Sequence, residues 1–566
     1  MDCKVEREVN IMEKYTRQTE KTRDERGAAL VIALFIITVL TVLGLLTLNT
    51  SIVEVKMAAN QKISSQAFYA ADAGLERGLS NLIQDFENDS GAGSPWGNST
   101  YAVAGTVTET ANNGSTAFDV NVRSMDMYLN SPAVKRLNFT GGTSVGKGSY
   151  QLYLYKVSPT EVYLMSYATG LGGVAAVEYH LKVEDLSPYN NAIFTGAGIT
   201  GHFRGSVDLA GSIYSRGNMN ASGSLGFYNN YADAHNGLGG LSGLLPPVTD
   251  LDAKIRVKGG DFTLGGSASV GTSSANGAYS NINVDGTMTW GSQTSYYDEF
   301  SSEVPDVPMP TILDGLTGEF GSAFISNCIA SEGYGGSDSN IAREIYEDWA
   351  TGTGCFSTSD SVGVVINSDV TISRSTASFS NVDAYGNGLS WDEPSKILTI
   401  QGNVVINGAL SLGSGGGCGH GGGMMGGGGG MEYIAVGPAS STTGSDPEAG
   451  ATLFVRDSTT ISRDFKALGG YLKGGTNTNS LGVVTPADIT FTGRSGDAYT
   501  GFYYAATQIN FNKQAKFGGT VIGGVVNFAQ VPDMFQVPAL KNYLPPGIPG
   551  GHNVLSFTDR DWKRVY

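Results

Sequence analysis
The hydrophobic pattern divides the chain into a long apolar helix and an extended region of alternation. From Ala28 to Leu48 no residue is charged. At 1.5 Å rise per residue, such a run spans about 30 Å as a helix, the thickness of a bilayer's hydrocarbon core. No proline occurs before Pro95, and "SIVEVKMAANQKISSQAFYAADAGLERGLSNLIQDFEN" continues in good helix formers. Leu75, Leu79, Leu82, Ile83 and Phe86 fall on one helical face. The spacing predicts one helix across 28–90, its last turn near residue 87. The small residues Ala58, Ala59, Ala67, Ala70, Ala71, Ala73 and Gly74 are expected to pack against neighbouring helices.

Beyond "GAGSPWGNS" the period changes to two. "TYAVAGTVTE", "AFDVNVRSM", "SYQLYLYKV", "EVYLMSYATG" and "VAAVEYHLKVEDL" read as strands of a mainly antiparallel sheet over 91–188, packed on the end of the helix. A stricter repeat follows, with Gly205, Gly211, Gly217 and Gly223 every six residues. Between them Val207, Leu209, Ile213, Ser215, Met219, Ala221, Leu225 and Phe227 share one parity. The unit returns at Gly260 and Gly266. It returns again at Leu398, Ile400, Val404, Ile406, Leu410 and Leu412, and at Ile509, Phe511, Ala515, Phe517, Val521 and Val525. Short strands turned by glycine at a fixed period predict a β-helix (solenoid), right- or left-handed, over 189–300 and 361–545. A β-sandwich with frequent turns is the alternative. Prolines and helical stretches mark 301–360 as an insertion projecting from the repeat. Residues 413–431 form a glycine-rich loop, and 546–566 a C-terminal tail. The expected fold is therefore mainly β, with one long N-terminal helix.

Charge adds direction. Arg17, Lys21, Arg23 and Arg26 precede the apolar run, and Glu54, Lys56 and Lys62 are the first charges after it, which favours a cytoplasmic N-terminus and an exported body. A secretory signal would have a shorter apolar core followed by a cleavage site and a helix break. A lone anchor followed by a stalk remains the plainer reading. The net charge of -17 repels phosphate, so nucleic acid is not an expected partner. Of the four cysteines, Cys328 and Cys355 can close a modest loop outside the cytoplasm, worth roughly 3 to 4 kcal/mol. Free buried cysteines are the other possibility.

The basic leader ending in Gly27, the helix directly after it, and "EVKMAANQKISSQAFYAADAGLERGL" together resemble the N-terminal region of PilX-type minor pilins, over about residues 24–80. That resemblance implies cleavage by a prepilin peptidase between Gly27 and Ala28. The helix then becomes a polymerisation element. It also implies other pilins and minor pilins as partners, an inner-membrane assembly platform, and a path from inner membrane to pilus or cell surface. The fifth mature position, glutamate in most major pilins, is Ile32 here, which points to a minor component. Ala28 replaces the usual Phe or Met. The 1–27 leader holds seven basic and seven acidic residues, so its removal leaves the charge unchanged. The closing part, from "FYYAATQINFNKQAKFGGTVIGG" to "DWKRVY", is more loosely similar to β-helical regions of PilX-like proteins.

Candidate chemistry is sparse. Cys418, His420, Met424 and Met425 are soft-metal ligand types, but they lie in a polyglycine stretch that lacks support for a preformed site. No metal and no cofactor is expected. Exported β-helices are often polysaccharide lyases or hydrolases, which need clustered acids and bases. The outward positions instead offer isolated Asp208, Arg216 and Lys513, with scattered His180, His202, His235, His420 and His552. The aromatic clusters "FYNNYADAH", "TSYYDEF" and "GFYYAA" can stack on sugar rings or fill a core. The expected function is structural and adhesive, as a minor pilin-like subunit bearing a surface body, with glycans or cell-surface ligands as targets. A membrane-anchored carbohydrate-active β-helix enzyme is the alternative.

Overall fold
The first helix, α1, runs Val5–Asn88 and so begins well before Ala28. Residues 5–26 contain neither Gly nor Pro and are rich in Glu and Arg, with Lys and Met among the rest, all strong helix formers. The computed structural model describes residues 5–88 and, with breaks, 107–565. The longest stretches outside the description are 89–106, 414–432, 438–449 and 466–479; within α1, side chains are described for Gly27 and 29–80. The chain divides into two compact units: Met1–Leu82 with Ser99–Leu181 and Asp559–Tyr566, and Ile83–Asn98 with Lys182–Thr558.

The first unit is built on one sheet. Its strands are β1 (Val107–Ala111), β2 (Lys135–Phe139), β3 (Ser144–Val145), β4 (Gly148–Ser158), β5 (Glu161–Gly170) and β6 (Gly173–Asp185). Their order is β1-β2-β4-β5-β6, with β3 beside β4. The β1–β2, β2–β4 and β4–β5 pairs are antiparallel. Two features depart from the sequence pattern. "AFDVNVRSM" forms no strand: Asp119 accepts from the backbone N–H of Asn121 through its carboxylate and from Arg123 through its carbonyl. That turn leads into α2 (Met125–Asn130), and the strand falls later, at Lys135–Phe139. The predicted tail contains a strand, Leu555–Val565, which joins the sheet beside β6.

The second unit is β-rich, and nearly all its pairings are parallel. Its first nine strands are β7 (Ile193–Thr195), β8 (Ile199–Gly201), β9 (Ser206–Ala210), β10 (Ile213–Arg216), β11 (Met219–Ala221), β12 (Ser224–Tyr228), β13 (Lys254–Lys258), β14 (Phe262–Leu264) and β15 (Ser269–Val270). They pair at intervals of three: β7–β10–β13, β8–β11–β14 and β9–β12–β15. Each six-residue glycine unit is thus one strand and its turn. Gly217 takes φ +102, and a Cβ there would lie 2.7 Å from the Ala197 carbonyl oxygen, so the turn admits no side chain. Gly205 lies outside the described residues. The eight same-parity positions from Val207 to Phe227 are all buried.

The first ladder shows the register. β16 (Tyr279–Val284) and β18 (Tyr297–Ser301) extend it beyond β13, with β17 (Met288–Thr289) beside β14. On the other side, β7 pairs not with a sequence neighbour but with the strand Lys516–Phe528. From there the ladder continues through Ala498–Phe511, Leu481–Thr485, Ala451–Val455, Asn403–Ile406 and Gly363–Ile366. One file therefore reads Phe300, Ile282, Ile255, Ile213, Ile193, Val521, Tyr503, Val483, Leu453, Val404, Val364. The file is buried from Ile282 to Val404, while its ends, Phe300 and Val364, are not.

Val525, assigned inward by parity, is half-buried, and Val526 takes the buried place. The register between the two long strands slips between Ala505 and Gln508, opposite Gly523 and Gly524, and parity does not survive a bulge. The insertion also differs from expectation. Its helices α3 (Ile312–Phe320), α4 (Ser322–Glu332) and α5 (Asp338–Thr351) do not project but pack on the first ladder. Tyr346 of α5 is buried with its ring stacked 4.9 Å from Phe454. Tyr504 donates to the Pro310 carbonyl at 2.6 Å, just ahead of α3.

Candidate functional site
Residues 30–57 of α1 place a continuous series of leucine, isoleucine, valine and phenylalanine side chains in the open; Ile32 is 58% exposed. By length and composition this is a helix able to cross a membrane. Its threonines close on the helix itself. Thr38, Thr41 and Thr47 donate to the carbonyls of Leu34, Ile37 and Leu43, at 2.7, 2.7 and 2.8 Å. Hydroxyls satisfied in this way can enter an apolar medium without an unpaired donor. Gly27 is exposed with open space where a Cβ would sit, and the Ala28 side chain lies outside the described residues.

Such continuous apolar exposure would be costly in water, yet the same helix becomes buried on one face from Ala67 onward. Ala67, Ala70, Ala71, Leu75 and Leu79 are buried. They meet the sheet face of Tyr150, Leu152, Leu164 and Ser166. A Cβ on Gly74 would come 2.5 Å from Ser166 Oγ and 2.6 Å from the Tyr150 ring, and one on Gly78 2.7 Å from Leu152. The A-A-D-A-G-L segment thus seats the helix on its own sheet. That corrects the expectation that Ala67, Ala70, Ala71 and Gly74 serve neighbouring helices; Ala58 and Ala59 remain exposed. Polar ties flank the seat: Tyr179 donates to Glu76 at 2.6 Å, and Arg77 donates to the Tyr150 hydroxyl at 3.2 Å.

The opposite sheet face carries a buried acid. Glu178 accepts from Arg123 Nε at 2.9 Å and from the Tyr128 hydroxyl. Arg123 also lies 4.7 Å over the Tyr163 ring. Burial first, then the neighbouring carboxylate, raises the Tyr128 phenol far above its ordinary value, so it remains a donor. This cluster binds α2 and its preceding turn to the sheet.

In the second unit, Lys516 Nζ stands 2.6 Å from Asp533 and donates to the carbonyls of Asn236 and Gly237 at 3.1 and 2.8 Å. Asp208 lies beside them, buried, accepting from the Asn236 N–H. Burial and then Asp533 push its carboxyl above the usual range against the pull of that hydrogen bond. The arrangement clamps the 229–245 loop to the strands. Sequence reasoning missed Lys516 and Asp533, which meet because the strand Lys516–Phe528 pairs in parallel with Asp533–Phe535, Lys516 in register with Asp533. The other charged candidates are dispersed: Arg216 pairs with Asp306 at 3.2 Å, His180 with Glu161 at 2.7 Å, and Lys513 is exposed. Cys328 and Cys355 are joined by a disulfide, their Cα atoms 5.5 Å apart, tying α4 to the segment after α5. Cys418, His420, Met424, Met425, His202 and His552 lie outside the described residues, as does nearly all of the 413–431 loop. Among the described residues no group of three or more His, Cys, Asp or Glu is placed to hold a metal ion.

The segment with the exposed apolar helix and the small-residue seat is also the one that known proteins share. Residues 26–76 match the PilX N-terminal family. The N-terminal part of this chain is thus similar to a PilX-type pilin segment. Among solved structures, the competence-associated pilin ComZ from Thermus thermophilus is similar at 18% identity, over 89% of this chain and 98% of that one, with a TM-score of 0.44. No curated protein matches.

Proposed function
We propose that this protein is a minor pilin-like subunit of a type IV pilus or related filament, acting by assembly and binding rather than by catalysis. One observation carries the reading: a single helix is exposed and apolar over residues 30–57 and seated on a sheet from Ala67 onward, within the segment that matches the PilX N-terminal family. An apolar run with no cover among the described residues needs lipid first and other helices afterwards. The proposed sequence is insertion with the N-terminus in the cytoplasm, cleavage between Gly27 and Ala28 by a prepilin peptidase, and uptake by the inner-membrane assembly platform among other pilins and minor pilins. Ile32, in place of a carboxylate that would set subunit register, favours a rare or tip position. The Cys328–Cys355 disulfide fits a body outside the cytoplasm.

The body is read as a β-helix displayed for adhesion. Successive strands visit three ladders in a fixed order and then return to the first, one strand further along, which is the path of a winding chain. Mass spectrometry of the mature N-terminus tests the pilin reading. Ala28 as first residue is expected; an intact leader, or a cut beyond Thr50, refutes it. Replacing Gly27 by Leu is expected to leave the protein in the membrane and absent from filaments.

A further inference from the structure
We propose that the end of the first ladder at β18 is a binding site for neutral oligosaccharides, with Trp290 and Tyr297 as its stacking platform. The proposal rests on reading the body as a displayed adhesive element, and it assigns the site and ligand class. Of the three aromatic clusters in the sequence, two are consumed by the fold. Phe227 and Tyr231 are buried, and so are Phe502, Tyr503 and Tyr504. The third stays outside: Tyr296, Tyr297 and Phe300 are 38%, 37% and 48% exposed, and Trp290 is 39% exposed. Trp290 stacks on Tyr297 with ring centroids 5.4 Å apart and planes within 8°. Phe300 occupies the same file as fully buried Ile282, so its exposure arises because the ladder ends there.

Trp290 and Tyr297, stacked on each other, each leave more than a third of their surface in solvent, and Tyr296 and Phe300 beside them in sequence do the same; clustered exposed aromatic surface marks an interaction site. The backbone beneath them is fixed. Tyr296 donates to the Val270 carbonyl at 2.8 Å, Tyr279 N–H donates to the Tyr296 carbonyl at 3.0 Å, and β18 is in register with β16. Preorganised aromatic surface loses little conformational freedom on binding. Beside the rings, Asn281 donates to Glu299 at 3.2 Å, and Asp298 and Glu299 are exposed. Ring faces for the C–H side of a pyranose, flanked by carboxylate and amide groups for its hydroxyls, form a sugar-recognition arrangement. The same carboxylates, on a chain of net charge -17, repel uronate, sialate and phosphate groups, which selects neutral glycans.

The test is calorimetric titration of the full-length protein, held in a detergent without a sugar headgroup, with cellohexaose, maltohexaose and N-acetylchitohexaose, and with oligogalacturonate as the acidic control. At least one neutral hexaose is expected to bind with Kd below about 1 mM. Trp290→Ala and Tyr297→Ala should each weaken binding at least tenfold, and Trp290→Phe should retain most of it. The proposal is overturned if none of the three binds, if Trp290→Ala binds like the parent, or if oligogalacturonate binds as well. It is also overturned if the patch instead drives self-association that Trp290→Ala abolishes in sedimentation. Purified protein reports on the sugar site whether or not it enters filaments, so this result and the N-terminal mass measurement fail independently.

Discussion
Ile193, in the first strand of the body, pairs in parallel register with Val521, in one of its last. Spatially, the chain enters the body at its middle. It runs outward through β10, β13, β16 and β18, and after the α3–α5 insertion returns from the other end to meet its own starting strand.

Removing the Ile193 side chain beyond Cβ should therefore weaken both halves together. Ile193→Ala is expected to cost about 2–5 kcal/mol. Denaturant unfolding followed by separate probes near Trp290 and Trp391 should show both transitions moving. A shift in only one would mean the halves are independent.

The seat of α1 on the sheet depends on a missing side chain. Gly74→Leu pushes a branched group into space already held by Ser166 and Tyr150. The expected loss is a few kcal/mol, at or above the roughly 1–3 kcal/mol typical of overpacking. Amide exchange in β4 and β5 should speed up, while Gly27→Ala, in open space, should leave exchange unchanged.

Much of this was legible beforehand, and the failures have physical causes. Parity found every inward position from Val207 to Phe227 because a six-residue unit preserves parity at each turn. It failed at Val525, where the strands slip by a residue. Alternation misread "AFDVNVRSM" because the Asp119 turn is a local hydrogen-bonding event that leaves hydrophobicity untouched. Lys516 and Asp533 carried no signal, since they meet through the parallel pairing of two successive strands, and the length of the connection between those strands is not written in a side-chain period. The small residues of α1 were legible as a close contact, but not which surface they contact.

The Lys516 clamp should respond asymmetrically to substitution. Lys516→Met leaves Asp533 buried without its cation and is expected to cost about 3–5 kcal/mol. Lys513→Met, on an exposed side chain nearby, should cost less than about 0.5 kcal/mol. Equal effects in chemical denaturation would remove the clamp from the account.

Acid should loosen the turn around Asp233. Burial acts to raise its carboxyl, but hydrogen bonds from Ser274, Thr272 and Asn230 outweigh it, and the net shift is downward from 3.8. A depressed carboxylate contributes stability above its unfolded value, and that stability fades as pH falls through the folded value. The parent should therefore lose more stability than Asp233→Asn between about pH 5 and pH 2, measured as melting temperature against pH. Parallel curves would contradict the assignment.

The strand Leu555–Val565 beside β6 has a temporal consequence. One sheet takes its edges from segments made before and after the entire body, so that sheet stays incomplete until residues 555–565 have been synthesised. As the chain is made, the earlier strands wait with an open edge until the closing strand follows the body. A chain interrupted anywhere in the body would leave β6 without this neighbour, so the first sheet carries a physical record of whether the whole chain was made.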